Sequence, residues 1–230
     1  MMFELLFPNL DLAKAWVKTK ETLYMTGVSL LFVFIFGLII GLLLFLTAEE
    51  NTRHVKRFRW LLQGIHWVLA AFVNIFRSIP FVLLIVLLLP VTKVIVGSII
   101  GKEAAIPALV IGTAPFYARM VEIGLREVDK GVIEAAKAMG AGSAALIFKV
   151  LIPESLPAIV SGLTVTAIAL LSSTAIAGVI GAGGLGDFAY LDGFLQNKND
   201  ITLFATLVIL LIVFIIQWIG DTITKKIDKR

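Results

Sequence analysis

Long apolar runs without charge dominate the pattern of the chain. Residues 27–46 and 201–220 are each 20 residues long and carry no charged side chain. An apolar run of about 18 or more residues can cross the hydrocarbon core of a bilayer as one helix. Two further runs, at about 104–122 and 155–180, are also largely apolar. The pattern therefore predicts several helices that span a membrane.

The stretch 60–92 is harder to divide, because its only charged residue is Arg77. One helix of this length would measure about 50 Å against a hydrocarbon core of about 30 Å, and two spans would be too short. Pro80 disfavours an unbroken helix through this point. We therefore predict an interfacial helix at about 55–76 and a span at about 78–96, with Arg77 near a membrane surface.

This division predicts an all-α polytopic membrane protein with five transmembrane helices. Their expected bounds are about 27–46, 78–96, 104–122, 155–180 and 201–220. The expected domains are an N-terminal outer-surface segment (1–19), a membrane domain (20–221) and a cytoplasmic basic tail (222–230). An amphipathic helix on the outer surface is expected at 9–22. Of the 20 Lys and Arg residues, twelve flank the spans on the C-terminal side of the membrane and six on the other. The positive-inside rule then predicts N-terminus out and C-terminus in.

Composition excludes several other classes of protein. The chain is 59% hydrophobic and 16% charged, with a mean hydropathy of +1.00, which excludes an ordinary soluble domain. It has no cysteine and only two histidines, so we expect neither a metal site nor a thiol nucleophile. The net charge of +4 lies beside apolar runs, which is typical of contact with anionic lipid and not with nucleic acid.

Residues 123–154 have a helical pattern of apolar residues that is too regular for a passive connector. The pattern predicts two short helices around Gly140, with Ser143 as N-cap of the second helix and Pro153 just beyond its end. Ala135 and Ala136 give the first helix a small-residue surface that another protein could approach closely. A packed re-entrant segment is the alternative interpretation.

The spacing within this segment is more specific. Glu134, Ala135 and Ala136 are followed by three intervening residues and Gly140. Nine further residues then precede Val-x-Ile-Pro, which ends at Pro153. This resembles the EAA loop of bacterial ABC importer permeases. The resemblance implies the type I importer permease fold, with a cytoplasmic coupling helix that docks on a separate ATPase subunit.

Further strings narrow the resemblance to the methionine-uptake ABC permease family. They are NIFRSIPF (74–81), KVIVG (93–97), PFYARMVE (115–122) and GAGGLGDFAY (181–190). The resemblance implies an importer of L-methionine, D-methionine or analogues in a bacterial cell membrane, working by alternating access. Another amino acid or an osmoprotectant is the alternative substrate.

The expected partners follow from what the chain lacks. It contains no G-x-x-x-x-G-K-[ST] string, so it is not expected to be an enzyme or to hold a cofactor. ATP and magnesium are expected on two ATP-binding subunits at the cytoplasmic face. Five spans are few for a pore, which favours a two-fold pair of this chain. An extracytoplasmic methionine-binding protein would complete an importer.

Two groups of residues are candidates for the translocation pathway. Hydroxyl and small residues in the fourth span place a gate near Ser172, Ser173, Thr174 and Ile176, although such residues also serve helix packing. At the start of the second span the inner mouth would be formed by Arg77, Ser78 and Pro80. Arg77 is expected to pair with Glu122 or with a backbone carbonyl.

A glycine-rich turn follows the fourth span at Gly181, Gly183, Gly184 and Gly186. Its G-x-G-x-x-G spacing would bind a dinucleotide only after a strand, which the apolar run does not predict. An outer helix-ending turn and a gate hinge are both compatible with it.

Two other function classes remain as alternatives. A secondary transporter usually carries an ionisable residue at mid-membrane depth, and a passive channel would need no motor. A membrane enzyme would need clustered acid, base or metal residues at one surface, and the sequence presents none.

Overall fold

The computed structural model describes residues 6–49 and 59–228, and within them all regular structure is helical. The helices are α1 (Leu12–Thr47), α2 (Arg59–Ser78), α3 (Phe81–Leu87), α4 (Leu89–Val96), α5 (Lys102–Arg126), α6 (Lys130–Ala138), α7 (Ser143–Leu146), α8 (Ile152–Ala177), α9 (Gly184–Asp187) and α10 (Asn199–Ile227). The start of the predicted 55–76 helix, basic residues 53, 56 and 57, and the ends of segments 1–19 and 222–230 lie outside the described residues.

Helix α1 joins two elements that the sequence pattern separates. The predicted amphipathic helix at 9–22 and the span at 27–46 form one helix of 36 residues. Asp11 caps its start, since its carboxylate accepts hydrogen bonds from the backbone N–H groups of Ala13 and Lys14. At 1.5 Å per residue α1 is about 54 Å long, so it exceeds the thickness of the hydrocarbon core.

The region 59–96 also differs from the predicted division. Helix α2 has 20 residues and packs through Val73 against Leu44 of α1 and Ala118 of α5, so it is part of the bundle. The chain then bends by 109° into α3. Pro80 is the N-cap residue directly before α3, where its missing N–H removes no hydrogen bond within the helix. The predicted span 78–96 is divided between the short helices α3 and α4.

The number of crossings agrees with the five-span prediction. Among the described residues, four helical segments are long and apolar enough to cross a membrane, and the bent pair α2–α3 would make a fifth. Three of the four correspond to predicted spans: α1, α5 and α10. The fourth runs from Ser143 to Ala182 and includes α8.

Close packing of α1 on α5 forms the centre of the bundle. Gly37 and Gly41 lie one turn apart on α1, in a G-x-x-x-G pattern. A Cβ at Gly37 would come within 2.6 Å of the Tyr117 ring, and one at Gly41 within 2.5 Å of the Ala118 carbonyl oxygen. The two glycines therefore permit a backbone approach that any larger residue would prevent.

The two ends of the bundle are formed by different segments of the chain. The Gly101 N–H, at the start of α5, donates to the Gly181 carbonyl, so residues 181–186 lie beside this end of α5. Residues 181–186 are called the glycine turn below. The loop between α6 and α7 lies beyond the other end of α8, whose 26 residues span about 39 Å.

Candidate functional site

The predicted coupling segment is a short helix with one packed and one open face. Helix α6 is capped by Asp129, whose carboxylate accepts a hydrogen bond of 2.6 Å from the Gly131 N–H. Ala136 is 5% exposed, whereas Glu134 and Ala135 are exposed. The exposed residues of α6 thus combine one acidic side chain and small residues with two lysine side chains.

Gly140 follows the end of α6 in the left-handed conformation, with φ of 82°. The Ala141 N–H donates to the Ala136 carbonyl and the Gly140 N–H to the Lys137 carbonyl, each at 3.0 Å. This pair of bonds is the Schellman motif, in which glycine is favoured because it has no Cβ. Met139, just before the turn, is 83% exposed. The turn therefore fixes the direction in which the chain leaves the open face.

Two details of this segment differ from the sequence prediction. The N-cap of α7 is Gly142, and Ser143 makes no capping bond. Pro153 does not end the second helix, because α7 continues through a wider π-type turn at Ile147–Leu151 into α8. Such a turn accommodates a proline ring that would clash with a carbonyl in a regular helix. Pro153 therefore lies in the first turn of α8.

A cleft of about 450 Å³ lies between α2, α3, α5 and α8. Arg77 lines it together with Ser173, so one residue from each predicted pathway group borders the same space. Pro80 also lines it, at the bend between α2 and α3. Gly112 of α5 permits the close approach of α3, since a Cβ there would come within 2.9 Å of a Leu84 methyl carbon.

Arg77 lies beside the middle part of α5. Its guanidinium carbon is 5.9 Å from the centre of the Phe116 ring. It shares the cleft with Gly112, about 15 Å from the first residue of α5 and about 21 Å from the last. Arg77 thus lies beside the middle of α5 along the length of that helix, with an exposed side chain. Ser78 does not join the cleft lining, and its hydroxyl donates to the Asn74 carbonyl at 2.8 Å.

The expected ion pair between Arg77 and Glu122 is absent from the described residues. Glu122 is 1% exposed and accepts from Arg119 at 2.6 Å and from Arg126 at 2.9 Å. Both partners lie on α5 itself, one turn to either side, where helical spacing brings them within reach. The buried carboxylate is therefore already satisfied by its own helix.

The other predicted gate residues divide between two faces of α8. Ser172 and Ile176 are exposed, and Ser173 is half-buried at the cleft. Thr174 is 1% exposed, and its hydroxyl donates to the Leu171 carbonyl at 2.7 Å. Successive helical residues are 100° apart, so a run of adjacent positions cannot face one pathway. The structure thus brings Ser173, but not Thr174, to the cleft.

The glycine turn uses its glycines in two different ways. Gly181, Gly183 and Gly184 have positive φ values of 104°, 82° and 81°, which side chains other than glycine rarely adopt. At Gly186 the reason is space, because a Cβ would come within 2.1 Å of the Ala175 carbonyl oxygen on α8. The turn therefore folds tightly back on the end of α8.

The N-terminal half of α1 holds this turn, which the sequence analysis did not foresee. The Gly184 N–H donates to the Glu21 carboxylate and the Leu185 N–H to the Thr22 hydroxyl, each at 2.8 Å. Lys18 forms an ion pair with Asp187. No local sequence signal marks these partners, because each is separated from its counterpart by more than 160 residues.

Two N-terminal lysines, which oppose the orientation predicted by the positive-inside rule, form ion pairs in this region. Lys14 pairs with Asp192 at 2.6 Å, and Lys18 pairs with Asp187. Each of these positive charges is offset by a carboxylate from the 181–200 region.

Comparison with known proteins identifies the family. Residues 37–230 match the family described as "Binding-protein-dependent transport system inner membrane component". The methionine import system permease protein MetP of Bacillus subtilis (strain 168) is 63% identical over 229 residues, with 100% of each chain covered. The D-methionine transport system permease protein MetI of Escherichia coli (strain K12) is 46% identical over 159 residues, which cover 69% of this chain and 70% of MetI.

Solved structures agree in fold. An inward-facing structure of the MetNI methionine ABC transporter has a TM-score of 0.86 at 40% identity and covers 94% of this chain and 97% of its own. The resemblance to methionine-uptake permeases and the predicted type I importer permease fold are thereby confirmed. The chain belongs to the family of binding-protein-dependent transport system inner membrane components.

Proposed function

We propose that the chain is the membrane-spanning subunit of an ATP-driven importer of methionine. The observation that supports this proposal most directly is the EAA segment. Its exposed residues Glu134 and Ala135 lie on a short helix that ends at the Gly140 turn. The identity of 63% with a methionine import permease over the full chain supports the same substrate class. L-methionine, D-methionine and close analogues are the expected substrates.

The motor is a separate ATPase subunit, because the chain itself has no Walker A string. Two copies of that subunit, carrying ATP and magnesium, would dock on two copies of α6 at the cytoplasmic face. Closure of the ATPase pair then moves α6, and the continuous helical path from Ser143 to Ala182 transmits the motion along the bundle. Alternating access follows if this motion opens one end of the pathway while closing the other.

The remaining partners occupy the opposite face. A methionine-binding protein would deliver substrate near the glycine turn, which lies at the other end of α8 from α6. This arrangement requires the N-terminus outside and the C-terminus in the cytoplasm of a bacterial cell. A second copy of the chain would enclose the pathway, since the cleft that holds Arg77 is open on one side.

Transport into proteoliposomes tests the proposal. The permease is reconstituted with its ATPase and binding protein, and uptake of radiolabelled L-methionine is measured with ATP and with a non-hydrolysable analogue. We expect uptake only with hydrolysable ATP. Uptake of leucine and of glycine betaine is measured in parallel, without the binding proteins for those two compounds. Comparison with methionine uptake reports whether transport is selective.

A secondary transporter is the alternative function. Such proteins usually carry a charged residue within the membrane, and Arg77, beside the middle of α5, is the candidate for it. The same liposomes separate the two functions. Methionine flux driven by an ion gradient through this chain alone would contradict the ATP-driven proposal.

A further inference from the structure

The cleft between α2, α3, α5 and α8 contains one fixed positive charge and no fixed negative one. Its lining is otherwise apolar or hydroxylic, with Phe76, Phe81 and Phe116 around Arg77 and with Ser173 on the facing helix. Within residues 6–49 and 59–228 no carboxylate pairs with the Arg77 guanidinium, because Glu122 is held by two other arginines. The only aromatic partner of the guanidinium there is the Phe116 ring.

An arginine in a cleft with no carboxylate partner among the described residues is suited to bind an anion that enters and leaves. A guanidinium presents donors in a planar fork that matches both oxygens of a carboxylate. A volume of about 450 Å³ falls in the range of about 300–1,000 Å³ that is usual for small-molecule sites. The three phenylalanine rings provide the surface that a flexible thioether side chain favours.

We propose that this cleft is a transient substrate site, in which Arg77 binds the carboxylate of the amino acid while the phenylalanine rings contact its side chain. The proposal rests on the proposed import function and adds the residues that contact the substrate. Ser173 lines the same space from α8, which is continuous with α7, the short helix that follows the Gly140 turn. Movement of α8 would therefore change the width of the site during each transport cycle.

Replacement of the charge tests the role of Arg77 directly. The chain contains no cysteine, so Arg77→Cys introduces a single thiol that can be labelled selectively. The full transporter is reconstituted with cysteine-free partner subunits, and methionine uptake is measured before and after treatment with an aminoethyl or a sulfonatoethyl methanethiosulfonate. The first reagent restores a positive charge, and the second adds a negative one.

We expect Arg77→Cys to lower methionine uptake at least about tenfold, as loss of a charged hydrogen-bond partner would. The aminoethyl reagent should restore part of the uptake and the sulfonatoethyl reagent should not. Saturating methionine during turnover should slow modification of the thiol at position 77. Arg59→Cys, at the other end of α2, is the matched control and should transport normally after either reagent.

Several results would overturn the inference. They are undiminished uptake by unmodified Arg77→Cys, equal effects of the two reagents, and a thiol at position 77 that neither reagent reaches because another copy of the chain covers it. Arg77→Lys offers a second comparison and should retain more uptake than Arg77→Gln, since an ammonium keeps the charge without the planar fork. Failure of the wild-type transporter to import methionine with ATP would instead contradict the proposed function.

Discussion

The Glu21 carboxylate accepts a hydrogen bond of 2.8 Å from the backbone N–H of Gly184, a residue 163 positions further along the chain. Thr22 accepts from Leu185 at the same distance, and Lys18 pairs with Asp187. The N-terminal part of α1 therefore supplies acceptors for backbone groups that the short helix α9 leaves unpaired at its start. The glycine turn depends on α1 for its conformation.

Thr22→Val should destabilise the protein because it removes the acceptor of the Leu185 N–H while keeping the shape of the side chain. Both residues are buried, and an unsatisfied buried donor costs about 1–3 kcal/mol. The midpoint of thermal unfolding in detergent measures the effect. Thr19→Val is the control, since the Thr19 hydroxyl only donates to the Ala15 carbonyl of its own helix. Equal midpoints for the two variants would contradict the role of Thr22.

Gly186→Ala should be more damaging than its small size suggests. The added Cβ would meet the backbone of Ala175, which cannot move aside as a flexible side chain could. Overpacking of this kind costs about 1–3 kcal/mol. Expression level and thermal unfolding are the measurements. Gly64→Ala, on α2 with open space around it, should be neutral or slightly stabilising.

Glu134→Lys should prevent assembly with the ATPase subunit without preventing membrane insertion. The change reverses the only acidic charge within α6 and leaves its packed residue Ile133 untouched. Co-purification of the ATPase with the tagged permease is the measurement. Glu103→Lys makes the same change at the opposite end of α5 and should assemble normally. Full recovery of the ATPase with Glu134→Lys would argue against a coupling role.

Ser173→Trp should abolish methionine uptake because the indole would fill much of the cleft beside Arg77. Initial uptake rates in proteoliposomes measure the effect, with expression and assembly checked by size-exclusion chromatography. Leu211→Trp adds similar aromatic bulk to an exposed position on α10 and serves as control. A transport rate for Ser173→Trp close to that of the wild type would remove Ser173 from the pathway.

The sequence reveals most clearly those features that depend on neighbouring residues. Spanning length is a property of a continuous apolar run, so the helices around 27–46, 104–122, 155–180 and 201–220 could be predicted. The conformation of Gly140 could also be predicted, because a helix end with glycine is a local arrangement. The helix boundaries near Pro80 and Pro153 were less predictable. A proline can lie at a bend between two helices, directly precede a helix or follow a π-type turn within a longer helical path.

By itself, the sequence determined that this protein is helical, lies in a membrane and carries the EAA spacing, because hydrophobic length and motif spacing are encoded locally. Only the tertiary structure decided which side chains meet. It packed α2 into the bundle and brought Arg77 to the cleft with Ser173. These relationships depend on the bend after α2 and on contacts between distant segments, which no run of neighbouring residues specifies.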